Sequence, residues 1–197
     1  MSRRAAAAIV LGAVALAAVL ALLWFLGREP GAGGPEGPGE QEEGGRLVTF
    51  ELYFPGEGGY LYPEQRELAA PADPRGRARA IVLAVLDGPT TSGLHAPFPQ
   101  GVGLFDLYLA ADGTAYVDLG DEERPDPPSG GSLAEMMMVY SLVDSLAFNL
   151  PEVERVSLLW NGLQRESFSG HLDTSAPLLP AEDLLAEAAR RRPKAGG

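Results

Sequence analysis

The order of hydrophobic and polar positions after residue 45 predicts alternating strands and helices. From Val48 to Phe54 every second side chain is apolar, which predicts a β-strand with one buried face. A Pro-Gly-Glu-Gly-Gly run ends this strand, and Tyr60–Tyr62 has room for a short second one. Asp73 and Pro74 give the start signals of a helix over 74–87. Its inward-facing stripe consists of Ala78, Ile81, Val82 and Val85, and Gly88 and Pro89 end it.

Residues 104–119 predict a β-hairpin whose register follows from its side-chain pattern. A two-residue loop at Asp112-Gly113 would set Leu107 opposite Asp118 and mix core and charge on one face. A three-residue loop in which Gly113 takes a positive φ avoids this conflict. The cross-strand pairs of this second register are Ala110 with Thr114, Leu109 with Ala115, Leu107 with Val117, Phe105 with Leu119 and Asp106 with Asp118. Because a slip of one residue exchanges the two faces, the second register is the prediction.

A second helix is predicted to begin at Ser132. Ser132 and Glu135 have the spacing of a capping box, and Pro151 lies just beyond the predicted end. The apolar positions at helical spacing are Leu133, Met136, Met137, Tyr140, Val143 and Ala147. Adjacent helical residues point about 100° apart, so the run Met136–Met138 cannot converge on one metal ion. We therefore predict that these methionines fill the core.

The remaining segments predict more sheet and an ambiguous end. Residues 153–160 form a strand pattern that turns at Asn161-Gly162 into a further strand over 163–168. Residues 180–192 have an amphipathic helical pattern, although their charged, alanine-rich composition is equally consistent with a frayed end. The apolar residues of that pattern are Leu184, Leu185 and Ala188. The predicted fold is α+β, a small antiparallel or mixed β-sheet with two main helices packed on one face.

Residues 1–26 have the length and charge pattern of a membrane anchor. Residues 1–4 are basic through Arg3 and Arg4, and residues 5–26 contain neither a charge nor a proline. About 20 apolar residues suffice for a helix to cross the hydrocarbon core, and Trp24 suits the headgroup boundary. The positive-inside rule places the N-terminus in the cytoplasm and the domain outside. The prediction is a single-pass protein of the cell membrane.

A cleaved signal peptide is the alternative for this segment. Its apolar core is usually about 7–15 residues long and ends at small residues, whereas here the apolar segment ends in the bulky run Leu22–Leu26. Cleavage near Gly31–Gly33 stays open. Residues 27–45 are rich in glycine, proline and glutamate, with no aliphatic side chain larger than alanine. We therefore predict a disordered linker there.

Length and composition narrow the classes of partner and chemistry. Residues 46–179 suffice for one ordinary domain, and 180–197 form a tail that is helical or frayed. The chain has 15 basic and 27 acidic residues, so its net charge is −12. Such a surface repels phosphate backbones, which excludes nucleic acid as a partner. The sequence has no cysteine, so disulfides, thiolate nucleophiles and lipidation of an N-terminal cysteine are excluded.

Two groups of polar residues contain side-chain types that occur in catalytic sites. As cross-strand neighbours, Asp106 and Asp118 would have Cβ atoms about 5 Å apart, close enough to perturb a pKa or to gather a cation. A solvated face with tolerated repulsion is the simpler interpretation. The segment His171–Ser175 contains a histidine, a carboxylate and hydroxyls, but no nucleophile elbow surrounds Ser175.

Two further signals are weaker. His95 lies in a Gly- and Pro-rich loop and is predicted to be exposed, and a pair of histidines so far apart in sequence is weak support for a metal site. Gly101-Val102-Gly103 lacks the following glycine and helix of a nucleotide-binding loop. We therefore predict that the chain is no enzyme, with no catalytic, cofactor-binding or metal-binding residues.

An ordered series of short motifs resembles the GerMN domain family. The motifs are Leu52-Tyr53-Phe54, Glu67, Leu86-Asp87-Gly88-Pro89, Leu94, Pro99-Gln100-Gly101, Ala115-Tyr116-Val117-Asp118-Leu119, the helix from Ser132 to Leu150, and Val153-Glu154-Arg155-Val156 leading to Asn161-Gly162. The resemblance covers about residues 48–178. This family occurs in spore germination and sporulation proteins and in other bacterial envelope proteins. It resembles ring-building domains and has no attributed enzymatic activity.

The resemblance implies an extracytoplasmic interaction or scaffold module of the bacterial cell envelope, with a role like those in sporulation or germination. Its partner would be another envelope protein or a second copy, bound through a sheet edge or helix face, while the membrane holds residues 5–26. The alternative is a binding protein for a cell-wall or other small ligand, with peptidoglycan as a candidate and the loop Thr90–Val102 as the binding element. No cofactor is implied.

Overall fold

The structure is a computed structural model that describes residues 46–187. The predicted basic end (1–4), transmembrane helix (5–26) and linker (27–45) lie outside the described residues, as do residues 188–197. Among residues 46–187, no helix is both long and apolar enough to cross a membrane.

The described chain contains two α-helices and six strands. In chain order they are β1 (Arg46–Pro55), β2 (Leu61–Ala70), α1 (Pro74–Asp87), β3 (Gly103–Leu109), β4 (Thr114–Gly120), α2 (Ser132–Asn149), β5 (Arg155–Trp160) and β6 (Leu163–Gln164). Short 3₁₀ turns lie at Glu57–Gly59 and Glu182–Leu184. These elements confirm the predicted α+β class. The main core joins apolar side chains from both helices and from strands β1, β3, β4 and β5.

The strands divide into two sheets where one was expected. β1 and β2 pair antiparallel with each other, whereas β3, β4, β5 and β6 form a mixed sheet in that order. In the mixed sheet β4 and β5 are parallel, and the other two pairs are antiparallel. The sheets stay separate because side chains of α2 occupy the free edge of β1. Ser145 Oγ accepts from Tyr53 N at 2.9 Å, and Asn149 bonds both Glu51 N and Glu51 O at 2.9 and 2.8 Å.

α1 has the bounds that the sequence predicts. Asp73 Oδ1 accepts a hydrogen bond from Gly76 N at 2.8 Å, which confirms Asp73 as the N-cap. Gly88 ends the helix with a φ of 84°, a conformation that glycine adopts without strain. The residues of the predicted stripe, Ala78, Ile81, Val82 and Val85, are all fully buried. α1 packs against β1, β2 and β3.

The β3–β4 hairpin has the predicted register, with one exception. Gly113 takes a φ of 82°, and Ala110 N donates to Thr114 O at 2.8 Å. The confirmed cross-strand pairs are Leu107 with Val117, Leu109 with Ala115 and Asp106 with Asp118. A bulge between Leu104 and Asp106 places Leu104, and not Phe105, opposite Leu119. The prediction for Phe105 is therefore wrong, because the extra residue of a bulge has no place in the alternation of the strand.

α2 begins at the predicted residue, but the predicted capping box is wrong. Gly131 is the N-cap, and no side chain caps the helix. Glu135 is fully buried, and its carboxylate binds the loop that follows β6. The donors are Ser169 N at 2.7 Å, His171 N at 2.9 Å and Leu172 N at 3.2 Å, with Ser167 Oγ at 3.4 Å and His171 Nδ1 at 3.0 Å. This loop offers the carboxylate more donors than the single backbone N–H of a capping box, so the side chain turns inward.

The apolar surface of α2 is broader than the predicted stripe. Met137 and Met138 are each 5% exposed and Met136 is half-buried, which confirms that the methionines fill the core. Leu133, which belongs to the predicted stripe, is 52% exposed. Further buried residues of this helix are Val139, Leu142, Val143 and Leu146. A helix that packs against β1, β5 and α1 at once is covered on more than one side.

β2 is longer than predicted and fastens the loop 88–102. It extends from Leu61 to Ala70, where the sequence predicts a short strand at Tyr60–Tyr62. The buried carboxylate of Glu64 forms an ion pair with Arg66 and accepts from Thr90 N and Thr91 N at 2.9 and 2.7 Å. Burial by itself raises the pKa of Glu64, but these hydrogen bonds outweigh it and lower the pKa to about 2.

The segments after β5 are less regular than predicted. β6 comprises Leu163–Gln164 where a strand over 163–168 is expected, because Glu135 binds the chain just beyond. Residues 180–186 form a 3₁₀ turn and a strand-like contact instead of the start of the predicted terminal helix, whose residues 188–192 lie outside the described residues. In that contact Leu185 pairs with Leu61, and Ala186 N donates to Leu61 O at 2.8 Å.

A buried carboxylate on α2 holds this C-terminal segment. Asp144 is fully buried, and its Oδ1 accepts from Ala181 N at 2.9 Å. Its Oδ2 has no hydrogen-bond partner among the described residues. Burial raises the pKa of Asp144 to about 7, partly offset by the Ala181 N–H and assisted by the negative charge of Glu182. One hydrogen bond is too little to stabilise the buried charge.

The Asp144→Asn variant tests how much the buried charge of Asp144 destabilises the fold. The folded-state pKa lies above the ordinary value of 3.8, so wild-type stability falls as pH rises from about 4 to about 7 and the loss is complete above 7. The variant has no carboxyl group at this position and therefore lacks this pH-dependent loss of stability. Its free energy of urea unfolding relative to wild type should therefore be higher at pH 8 than at pH 4, by up to about 4 kcal/mol. Glu67→Gln, at an exposed site, is the control, and an Asp144→Asn difference equal at both pH values would contradict the assignment.

Glu135→Gln tests the binding of the loop after β6. Burial alone raises the pKa of Glu135, but the N–H groups of Ser169, Leu172 and His171 outweigh it and hold the pKa below its usual value. An amide sets an NH₂ group against N–H donors, so the free energy of unfolding at pH 7 should fall by about 2–4 kcal/mol. Glu152→Gln, at a partly exposed ion pair, should change it by less than about 1 kcal/mol. Equal losses in both variants would contradict this account.

Candidate interaction site

The mixed sheet has one buried face and one face that is partly open. Leu107, Val117 and Leu158 lie side by side on β3, β4 and β5 and are buried in the core. The alternate positions on β3 and β4 carry Tyr108 and Tyr116, which are 61% and 38% exposed. The ring centroids of these tyrosines are 6.4 Å apart, so they form one aromatic patch. We call this side of β3 and β4 the outer face.

The bulge in β3 adds Phe105 to the outer face, where its side chain is 49% exposed. The ring lies over Gly120 at the end of β4. A Cβ built on Gly120 would come within 2.3 Å of the Phe105 ring and 2.3 Å of Asn161 Oδ1. Glycine at this position therefore permits the ring and the amide to approach the strand. Two adjacent apolar residues, Leu104 and Phe105, are the sequence signal of this bulge.

A cleft of about 530 Å³ opens at one end of the outer face. Because β4 and β5 are parallel, their carboxyl ends meet there. The lining residues are Phe105, Asp118, Asp121, Glu122, Arg124, Pro125, Asn161 and Gly162. Crevices at the carboxyl ends of parallel strands are frequent ligand sites, since the loops that leave them are free to carry polar groups. We call it the β4–β5 cleft.

The Asn161-Gly162 turn forms one wall of the cleft. It is the predicted turn, and both residues have a positive φ, 51° and 78°. Gly162 N donates to Asp118 Oδ1 at 2.8 Å, and Asn161 N donates to Leu119 O at 2.8 Å. Asp118 is therefore fixed by the turn after β5, and the predicted repulsion with Asp106 is only part of its environment.

The opposite wall is the loop Asp121–Asp126, which side chains of β5 and its neighbours fasten. The carbonyl oxygen of Arg124 accepts from Trp160 Nε1 at 3.3 Å and from Asn161 Nδ2 at 3.1 Å. Arg165 donates to Pro125 O at 3.1 Å and pairs with Asp126 at 3.0 Å. Both walls are thus held by the same end of β5, and the cleft is a built feature and not a gap between mobile loops.

The charges around the cleft are mostly acidic. Asp121 is 7% exposed and pairs with Arg124 at 3.4 Å, and Asp106 pairs with Arg75 at 3.1 Å at the edge of β3. Asp118 and Glu122 have no ion pair with any residue of the range 46–187. Arg124 lines the cleft but pairs with Asp121, so two carboxylates, Asp118 and Glu122, have no ion-pair partner in the described chain.

Of the polar groups singled out in the sequence, Asp106 and Asp118 are cross-strand neighbours, as predicted, whereas His171 and Ser175 have different partners. His171 contacts Glu135, while Ser175 Oγ donates to Asp173 at 2.6 Å, so the histidine and the serine belong to separate contacts. His95 is exposed, as predicted. Within residues 46–187, no group of three or more His, Asp or Glu side chains is placed to hold a metal ion.

The loop Thr90–Val102, the predicted element for a small ligand, is fastened to the domain. Glu64 binds its first residues, His95 N donates to Pro55 O at 2.8 Å, and Phe98 is buried in the core. A second groove of about 340 Å³ lies at the start of α2. It is lined by Ser132, Leu133, Met136, His171 and Leu172, which are mainly apolar.

Gly120→Ala tests the role of this glycine. The added methyl group must displace the Phe105 ring and the Asn161 amide, which should lower the free energy of unfolding by about 1–3 kcal/mol. Gly103→Ala is the matched control, since Gly103 pairs with Gly120 and the nearest atom to its built Cβ is 4.0 Å away. Urea unfolding and the NMR shifts of the Phe105 ring measure the two effects. Unchanged ring shifts in Gly120→Ala would contradict the proposed contact.

Solved structures show the same fold. The first GerMN domain of the sporulation protein GerM from Bacillus subtilis matches with a TM-score of 0.54 and 20% identity, over 69% of this chain and 99% of that one. The tandem GerMN domains of the same protein match with a TM-score of 0.54 and 21% identity, over 70% of this chain and 48% of that one. The present chain therefore spans about half the length of the tandem structure.

A lipoprotein candidate from Clostridium perfringens matches with a TM-score of 0.47 and 17% identity, over 68% of this chain and 87% of that one. This TM-score is too low to support a conclusion. A comparison with curated proteins gives no match. The Germane family model, described as sporulation and spore germination, matches residues 51–166. Because this match spans more than half of the sequence, the chain belongs to the Germane family.

Proposed function

We propose that the chain is a protein-interaction module of the bacterial cell envelope that acts in sporulation, germination or a related envelope process. Membership of the Germane family supports a role in such a process. The match to GerMN domains supports the fold of the module. We propose that it acts by binding and not by catalysis.

The outer face of the mixed sheet is the observation that carries the proposal. Phe105, Tyr108 and Tyr116 expose aromatic side chains on two paired strands whose opposite face is core. Asp106 and Asp118 lie between Phe105 and the tyrosine pair on this face. Exposed aromatic surface is unfavourable in water and is a frequent mark of interaction sites in soluble domains. Aromatic residues are also enriched at protein–protein interfaces, because a rigid ring buries much area at little cost in entropy.

Tethering supports the same function. In this proposal residues 5–26 anchor the chain in the membrane and the domain lies on the extracytoplasmic side. A flexible linker over residues 27–45 would give the domain a root-mean-square reach of about 25 Å from the bilayer. Confinement near the membrane raises the effective concentration of a partner held in the same layer.

Binding of a cell-wall or small ligand is the second candidate function. The observation in its favour is the volume of the β4–β5 cleft, about 530 Å³, which lies within the usual range of ligand pockets, about 300–1,000 Å³. Retention of the chain on purified peptidoglycan, abolished by substitutions in the cleft, would support this candidate over the first.

Photo-crosslinking of the full chain in cells tests the leading proposal. A benzophenone amino acid is placed at Tyr108 or Tyr116, and at Tyr60, an exposed tyrosine outside the outer face, as the control. We expect discrete crosslinked products from Tyr108 and Tyr116 that Tyr60 does not give. A product at twice the 20.7 kDa mass of the chain would indicate a second copy as the partner. The same pattern from all three positions would contradict the proposal.

A further inference from the structure

We propose that the partner docks on the outer face with an arginine side chain that enters the β4–β5 cleft. The inference rests on the proposed function, since it names the chemistry of the partner that this surface would hold. Phe105, Asp118 and Glu122 would contact the guanidinium group. Tyr108 and Tyr116 would contact apolar atoms of the surrounding partner surface.

The aromatic groups define the centre of the docking surface. Phe105 is half exposed at the mouth of the cleft, and the tyrosine pair continues the same face along β3 and β4. Rings that are fixed on a sheet lose little further entropy on binding, and such rings concentrate at the energetic centre of interfaces. A partner that covers them removes apolar surface from water without rearranging the domain.

The charges select a cation. Asp118 is held in place by Gly162 N at 2.8 Å. Neither Asp118 nor the exposed Glu122 has an ion pair in the described chain. Arg124, the cation that lines the cleft, is engaged by the buried Asp121. The chain as a whole carries −12. Complementary charge steers association and fixes its register, so a basic side chain of the partner is favoured at this point.

Arginine fits the arrangement better than lysine does. A guanidinium group is planar and presents N–H donors in a fork that matches a carboxylate, and it also stacks on aromatic faces. The cleft offers both features, since the Phe105 ring and the Asp118 carboxylate line the same space. A lysine would form a single point contact and gain less from the ring.

The cleft is already formed without its occupant. Trp160, Asn161 and Arg165 fix the acidic loop, and Gly120 lets the Phe105 ring lie against β4. A site that needs no reorganisation keeps more of its interaction energy as affinity. Anionic polymers would be repelled by the same carboxylates. A neutral glycan would stack on the tyrosines and gain nothing from the charge, so charge dependence separates the two kinds of ligand.

NMR titration of the ¹⁵N-labelled full chain in detergent solution tests the inference. The probes are acetyl-arginine amide and acetyl-citrulline amide, which have nearly the same shape and differ in charge. We expect saturable shifts of the Gly162 and Glu123 amides with the arginine probe, at least fivefold weaker with citrulline. Asp118→Asn keeps the acceptor for Gly162 N and removes the charge, and it should weaken arginine binding at least fivefold. Glu67→Gln, which removes an exposed carboxylate on β2, should leave it unchanged.

The proposed arginine site would be overturned by any of three results. These are equal shifts with both probes, no shifts with either probe, and undiminished arginine binding by Asp118→Asn. Shifts of Tyr108 and Tyr116 caused by a chitin oligosaccharide, with no response to arginine, would also overturn it and identify a glycan surface instead. If the Asp118→Asn variant still gives crosslinks from Tyr108 and Tyr116, the arginine site is rejected but the proposed function stands. Loss of specific crosslinks in the unmodified chain would reject the proposed function itself.

Discussion

The parallel pairing of β4 with β5 is the constraint from which the rest of the domain follows. Two parallel neighbours cannot be joined by a tight turn, so the chain must cross the sheet, and α2 makes that crossing. The crossover places α2 against β1, β5 and α1 at once. It also brings the carboxyl ends of β4 and β5 together, and the cleft lies at these ends. The core and the candidate site thus have one origin in topology.

A helix buried on several sides must satisfy its polar groups within the protein, and α2 does so unevenly. Ser145 and Asn149 complete the hydrogen bonding of the β1 edge. Glu135 and Asp144 are both fully buried. Glu135 gathers three backbone N–H groups and its pKa is lowered, whereas Asp144 has one and its pKa is raised to about 7. Burial raises the pKa of both carboxylates, and the larger number of donors around Glu135 outweighs this effect there.

Features that depend on neighbouring residues in sequence are the ones that the sequence predicts. The α1 boundaries follow from Asp73 and Gly88, and the hairpin register follows from Gly113 and the alternation around it. Glu135 is different, because the loop that competes for its carboxylate lies more than 30 residues away. Phe105 is different again, since a bulge adds one residue and no alternation rule assigns its face. The alternation that predicts the strand therefore places Tyr108 and Tyr116 on the outer face but assigns Phe105 to the wrong face.

The outer face differs from the core face of the same strands in what holds its side chains. On the core face, Leu107 and Val117 are fixed by packing from both helices and both sheets. On the outer face, Tyr108 and Tyr116 touch each other, and Phe105 lies over a glycine. The backbone that carries these rings is paired within the mixed sheet, but their exposed surfaces contribute little to folding. Selection for stability alone would favour polar residues at these positions, whereas the binding proposed above would favour exposed aromatic ones.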